Sequence, residues 1–241
     1  MHDFTLGLAL YDFVPVLFTA VAVLFIARMI QQHEPTRAPL AYTGAGLVIA
    51  AGLSKALWKL LVTTTGQDIG LLANALFPLM APGFTLLAFS FWSAMCRRRG
   101  NATRHYITVM SLLAIFLVFL IAFIRSWGLE IERGWFMPIM TLASVTNLAL
   151  TVMLMVAAWR QGRWPLALLF VVNVAMVFAL QQIAQIEPMT IALHWLEQTL
   201  TAVGAGAFAL ASFWLYQALS TTLPEVEESV SFWPRTAMSS D

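Results

Sequence analysis

Apolar residues run along this chain in long blocks separated by short polar breaks. The blocks cover approximately 8–31, 39–64, 69–95, 105–126, 135–159, 165–185 and 190–217. Each is close to the roughly 20 residues that a helix needs to cross a hydrocarbon core. The breaks are Gln31-Gln32-His33-Glu34-Pro35, Thr63 to Asp68, Arg97 to Arg104, Gly128 to Gly134, Arg160 to Trp164 and Glu187-Pro188. The pattern predicts an all-α integral membrane protein, a bundle of seven transmembrane helices over residues 1–217. The first run reads as a retained anchor, because Met1-His2-Asp3 offers no basic segment ahead of it.

Beyond that domain the composition changes. Residues 218–241 are polar, with Glu225, Glu227, Glu228 and the triplet Phe232-Trp233-Pro234. This segment is expected to be a disordered cytoplasmic tail, whose exposed aromatics could anchor a protein partner.

Charge placement orients the bundle. Breaks one, three and five hold Arg37, Arg97, Arg98, Arg99, Arg104, Arg160 and Arg163, and Arg28 ends the first span. The opposite breaks offer Arg125 and Arg133 beside Glu130 and Glu132. The positive-inside rule therefore places the N-terminus outside and the C-terminus in the cytoplasm. Trp127 and Trp135 at one boundary, and Trp159 and Trp164 at the other, fit interfacial belts. The expected location is the cell (plasma or inner) membrane, crossed several times.

Spans one to three and five to seven run in the same directions, which suggests a 3+1+3 parallel repeat. A shift of about 122 residues lays Ser90-Phe91-Trp92 on Ser212-Phe213-Trp214 and Lys59 on Gln181. One residue more lays Pro15 on Pro138. This layout resembles that of the sugar-transporting SWEET proteins, and the span count is similar to that of microbial rhodopsins. Both are likenesses of layout alone. A rhodopsin-like chromophore is disfavoured, since the seventh span carries no lysine for a Schiff base.

Composition agrees with the membrane reading: 60% of residues are hydrophobic, 10% are charged and the mean hydropathy is +0.80. No basic tract with interleaved aromatics points to nucleic acid. The single cysteine, Cys96, cannot form an internal disulfide and reads as a buried small residue.

The chemistry concentrates on two residues. Lys55 and Lys59 are the only lysines, both within span two and on one helix face; the other eleven cations are arginines. A lysine near the bilayer centre costs about 2.5–3.5 kcal/mol on insertion scales. Candidate counter-charges are Asp12 at the outer end of span one and Glu197 on span seven. Lys59 is expected to pair with Asp12, and Lys55 with Glu197 at greater depth. Asn74 before Pro78 and Pro82, Gln181 and Gln185 on span six, and His194, Trp195 and Trp58 belong to the same leaflet. One-sided clustering argues for an outward-opening cavity rather than for interhelical glue. Structural roles stand beside each functional one: Lys59 can snorkel, ion pairs and amides hold many bundles together, and the tryptophans can be interface anchors.

No catalytic or cofactor motif accompanies these residues. His194 and Glu197 could supply two metal ligands, too few for a metal site. Gly-x-Ser-x-Gly, phosphate-cradling and haem-attachment patterns are absent. No cofactor and no metal are therefore assigned. The leading expectation is a small secondary transporter of a small, anionic solute or of protons. The alternative is a receptor or sensor subunit that binds an extracellular small molecule and signals through a partner. A membrane enzyme or accessory subunit is the third reading.

Overall fold

A computed structural model describes residues 5–98, 106–183 and 191–220. Nine α-helices form among them, and no strand: α1 (Leu6–Tyr11), α2 (Phe13–His33), α3 (Ala38–Thr65), α4 (Gly70–Asn74), α5 (Leu76–Arg98), α6 (Tyr106–Phe123), α7 (Phe136–Arg160), α8 (Trp164–Ile183) and α9 (Ile191–Ser220). A turn of π-helix over Ile124–Gly128 extends α6.

Among the described residues six segments are long and apolar enough to cross a membrane: Leu6–His33, Pro35–Thr65, Gly70–Arg98, Tyr106–Gly128, Phe136–Arg160 and Ile191–Ser220. The protein is thus a multi-pass helical membrane bundle. The expected seventh span falls on α8, whose apolar stretch, Trp164–Leu180, is shorter than the other six. Helix α9 runs to Ser220, one turn past residue 217. That extra turn is held to α2, with Leu219 buried and Ser220 Oγ donating to Gln32 Oε1 at 2.9 Å. Residues 221–241, including the Phe232-Trp233-Pro234 triplet, lie outside the described residues.

Two of the apolar runs are broken where proline chemistry requires it. Pro15 has no N–H to give the Tyr11 carbonyl one turn back, and α1 ends at Tyr11 with Asp12 at the joint. Pro78 likewise leaves the Asn74 carbonyl without its helical donor, and α4 ends at Asn74. Pro82 is accommodated inside α5. At the end of α3, Gly66 takes a left-handed φ of 69° and donates its N–H to the Val62 carbonyl, capping the helix.

The helices form a ring. The α1/α2 segment packs on α3 and α9, α3 on α5, α5 on α7, α7 on α8 and α8 on α9. Helix α6 lies outside the ring against α5 and α7. Its large side chains, including Phe116, Leu112 and Phe123, are correspondingly exposed. Helices α3 and α5 cross in close contact: a Cβ on Gly44 would stand 2.7 Å from the Gly83 carbonyl oxygen.

The main core sits in one half of the bundle. Ile26, Ile30, Phe84, Phe91, Leu150, Leu154, Phe170, Phe208 and Leu215 pack there, toward the arginine-rich ends of their helices. The half nearer the N-terminus keeps a cavity.

Candidate functional site

The cavity has a volume of about 270 Å³, and all four charged residues singled out from the sequence line it: Asp12, Lys55, Lys59 and Glu197. Asp12 comes from the α1–α2 joint, the lysines from α3 and Glu197 from α9. Pro15, Val16, Gly52 and Met80 supply apolar wall, and Gln198 and Thr201 add polar groups.

Helix geometry sets the depth of each charge. Lys59 lies six residues before the end of α3 at Thr65, and Asp12 sits at the joint between α1 and α2. At 1.5 Å per residue, that is about 9 Å of helix. Lys55 is one turn deeper. Asp12 lies at the level of Lys59, since the two side chains meet across the joint.

Lys59 Nζ lies 2.5 Å from Asp12 Oδ2, and both side chains are buried. The pair expected between Lys55 and Glu197 does not form. Among the described residues Lys55 has no carboxylate within ion-pair distance, and Glu197 Oε2 lies 3.8 Å from His194 Nδ1 one turn earlier. The expected order of exposure is reversed as well. Lys59, which could have snorkelled, is buried, whereas Lys55 is exposed. Rotation of α3 about its axis turns Lys59 onto the α1–α2 joint and leaves Lys55 facing the cavity.

The other candidates divide. Trp58 Nε1 donates to Asp68 Oδ1 at 2.8 Å, beyond the end of α3. Trp195 packs on Tyr11 with ring centroids 5.7 Å apart, joining α9 to α1. Neither tryptophan lines the cavity. Asn74 donates to the Gly70 carbonyl at 2.8 Å and lines a neighbouring vestibule rather than the cavity itself. Gln185 and the side chain of Gln181 lie outside the described residues.

The vestibule, of about 280 Å³, is lined by Lys55, Ala73, Asn74, Leu76, Phe77, Arg133, Trp135 and Phe136. It shares Lys55 and Leu76 with the cavity, so the two spaces adjoin at the unpaired lysine. Sequence reasoning counted Arg133 only as a loop charge, since nothing in its neighbours in the chain ties it to α3 or α5. Gln198 was also absent from the expected site, although its position next to Glu197 is a usable signal. It is buried, unlike its half-exposed neighbour Glu197.

At the opposite end a polar network ties the helices together. Glu34 is buried and accepts from Arg97 Nη1 at 2.8 Å and from the Thr36 hydroxyl, joining the end of α2 to α5. Gln32 Nε2 donates to the Tyr216 hydroxyl at 3.2 Å, joining α2 to α9. No group of three or more potential metal ligands occurs among the described residues. Compared with known proteins, the chain matches no family model, no curated sequence and no solved structure.

Proposed function

We propose that this protein is a small secondary transporter for a small anionic solute, with its binding site in the half of the bundle that holds the N-terminus. The observation that carries the reading is the asymmetry between the two ends. One half holds a charged cavity with a free lysine. The other is packed with apolar side chains and tied by the Glu34–Arg97 and Gln32–Tyr216 contacts, with a pocket between α8 and α9 lined by Arg163, Leu166, Trp214, Gln217 and Ala218 that holds no acidic side chain. A bundle open at one end and latched at the other is what one state of an alternating-access cycle requires.

In this reading α8 is the seventh span. Its 20 residues correspond to about 30 Å of helix, the thickness of a hydrocarbon core. The N-terminus is then outside and the C-terminus in the cytoplasm, because Arg37, Arg97, Arg98, Arg160 and Arg163 gather at the latched end. The parallel repeat gains support from matched burial: Ser90 and Ser212 are buried while Trp92 and Trp214 are exposed. Gly83 and Gly204, seven and eight residues earlier, are each the site of close contact with the preceding helix.

Lys55 attracts the anion, Glu197 with His194 exchanges a proton, and Gln198 and Thr201 orient the ligand through hydrogen bonds. The Lys59–Asp12 pair keeps α3 fixed to the α1–α2 joint. Uptake by proteoliposomes tests the assignment. Lys55→Ala and Glu197→Gln are expected to abolish it; undiminished uptake by both overturns it. Deletion of residues 222–241 is expected to leave flux unchanged. A cellular response lost with ligand binding intact would instead favour a receptor acting through a partner.

A further inference from the structure

The vestibule beside the cavity holds two cations and no acidic side chain. Lys55 and Arg133 line it together, and neither forms an ion pair among the described residues. Taking cavity and vestibule as one space, Lys55, Lys59 and Arg133 face Asp12 and Glu197. One positive charge is left over, and a monoanion would balance it.

Three of the remaining six lining residues are aromatic, beside Ala73, Asn74 and Leu76. Phe77 of α5 meets Phe136 of α7 edge-on, with centroids 5.2 Å apart, and Trp135 meets Phe136 in the same manner at 5.9 Å. Such a wall suits a flat apolar ring, while the guanidinium and ammonium groups suit a carboxylate. Arg133 also holds a left-handed backbone, at φ 54°, which a non-glycine residue adopts at a cost in strain. Its carbonyl accepts the Phe136 N–H at 2.9 Å, so the turn that carries the arginine is tied to the turn that carries the aromatic wall.

We propose that this vestibule is an outer subsite for aromatic monocarboxylates, in which Arg133 and Lys55 hold the carboxylate before Lys55 passes it to the inner cavity. The inference deepens the transporter reading and rests on it for the second step only, since binding in the vestibule needs no transport.

Benzoate is the probe, with benzamide as its neutral counterpart and inorganic phosphate as a compact anion. Calorimetric titration of the purified full-length protein is expected to show one benzoate per chain. Benzamide is expected to bind about tenfold more weakly or worse, and phosphate not to displace benzoate. Arg133→Asn removes the cation yet tolerates the left-handed backbone, and should weaken benzoate binding about tenfold. Arg133→Lys should retain most of it, which separates loss of charge from loss of folding. Absence of benzoate binding, equal binding of benzamide, or an unchanged affinity in Arg133→Asn overturns the subsite. Displacement by phosphate at comparable concentration would make it a general anion or lipid-headgroup site and overturn it too. Benzoate uptake by proteoliposomes separates the two proposals. Arg133-dependent binding without uptake overturns transport and leaves the subsite standing. Uptake with binding indifferent to Arg133 does the reverse.

Discussion

Lys59 Nζ, six residues before the end of α3, and Asp12 Oδ2, at the α1–α2 joint, meet at 2.5 Å, and both side chains are buried. The contact joins α3 to the break that Pro15 imposes between α1 and α2. Removal of either partner takes the nearest opposite charge away from a buried group. Asp12→Ala or Lys59→Ala is expected to cost about 3–5 kcal/mol, and replacement of both by apolar residues of similar volume to cost much less. Thermal unfolding of the singles and the double in detergent measures this; additive losses would show that the residues are not coupled.

The latch at the other end is asymmetric, and its variants should be too. Glu34 is almost wholly buried, while about half of the Arg97 side chain is exposed. Arg97→Ala removes the guanidinium from a buried carboxylate and should destabilise by about 3 kcal/mol. Glu34→Ala leaves an arginine that can turn to water, and should cost less, about 1–2 kcal/mol. Unfolding midpoints in the opposite order would contradict the burial argument.

The α3–α5 crossing depends on glycine for space. A Cβ at Gly83 would lie 2.7 Å from Val48 Cγ2 and 2.9 Å from the Gly44 carbonyl oxygen. Gly83→Ala should therefore cost about 1–3 kcal/mol through overpacking. Gly46 lies on the same helix as Gly44 with nothing within 4 Å of a built Cβ. Gly46→Ala should be neutral or stabilising by up to about 1 kcal/mol, from helix propensity alone. Equal effects at the two positions would remove close approach as the cause.

Lys55 should separate stability from function. It has no ion-pair partner, so Lys55→Met is expected to change stability by less than about 1 kcal/mol. The same variant should lose anion uptake in proteoliposomes. A large loss of stability with uptake retained would make Lys55 a structural residue.

The spans and their internal breaks were legible in the chain because the forces that set them are local. Helix α2 must restart after Asp12 because Pro15 cannot donate one turn back, and the same holds for Asn74 and Pro78. The pairing of Lys59 with Asp12 was legible too, since buried charges need partners and helix rise fixes their depth. The partner of Glu197 was not. Rotation about the helix axis decides between Lys55 and His194, and neighbouring helices set that rotation. Arg133 escaped notice for a related reason: a loop residue has no periodicity from which to infer which helix it will face.

By itself, then, the order of residues determined that the chain forms several apolar helices long enough to cross a membrane, their breaks at Pro15 and Pro78, and the gathering of charge toward one end. Tertiary structure decided which lysine is buried and which is free, the latch between Glu34 and Arg97, and the meeting of Arg133 with Lys55 around an aromatic wall. The physical reason is range. Proline chemistry and bilayer thickness act along the chain within a turn or a span, whereas ion pairs and cavities depend on how helices rotate and approach one another. Those rotations are set by close contacts such as Gly44 on Gly83, far apart in sequence and adjacent only in the folded bundle.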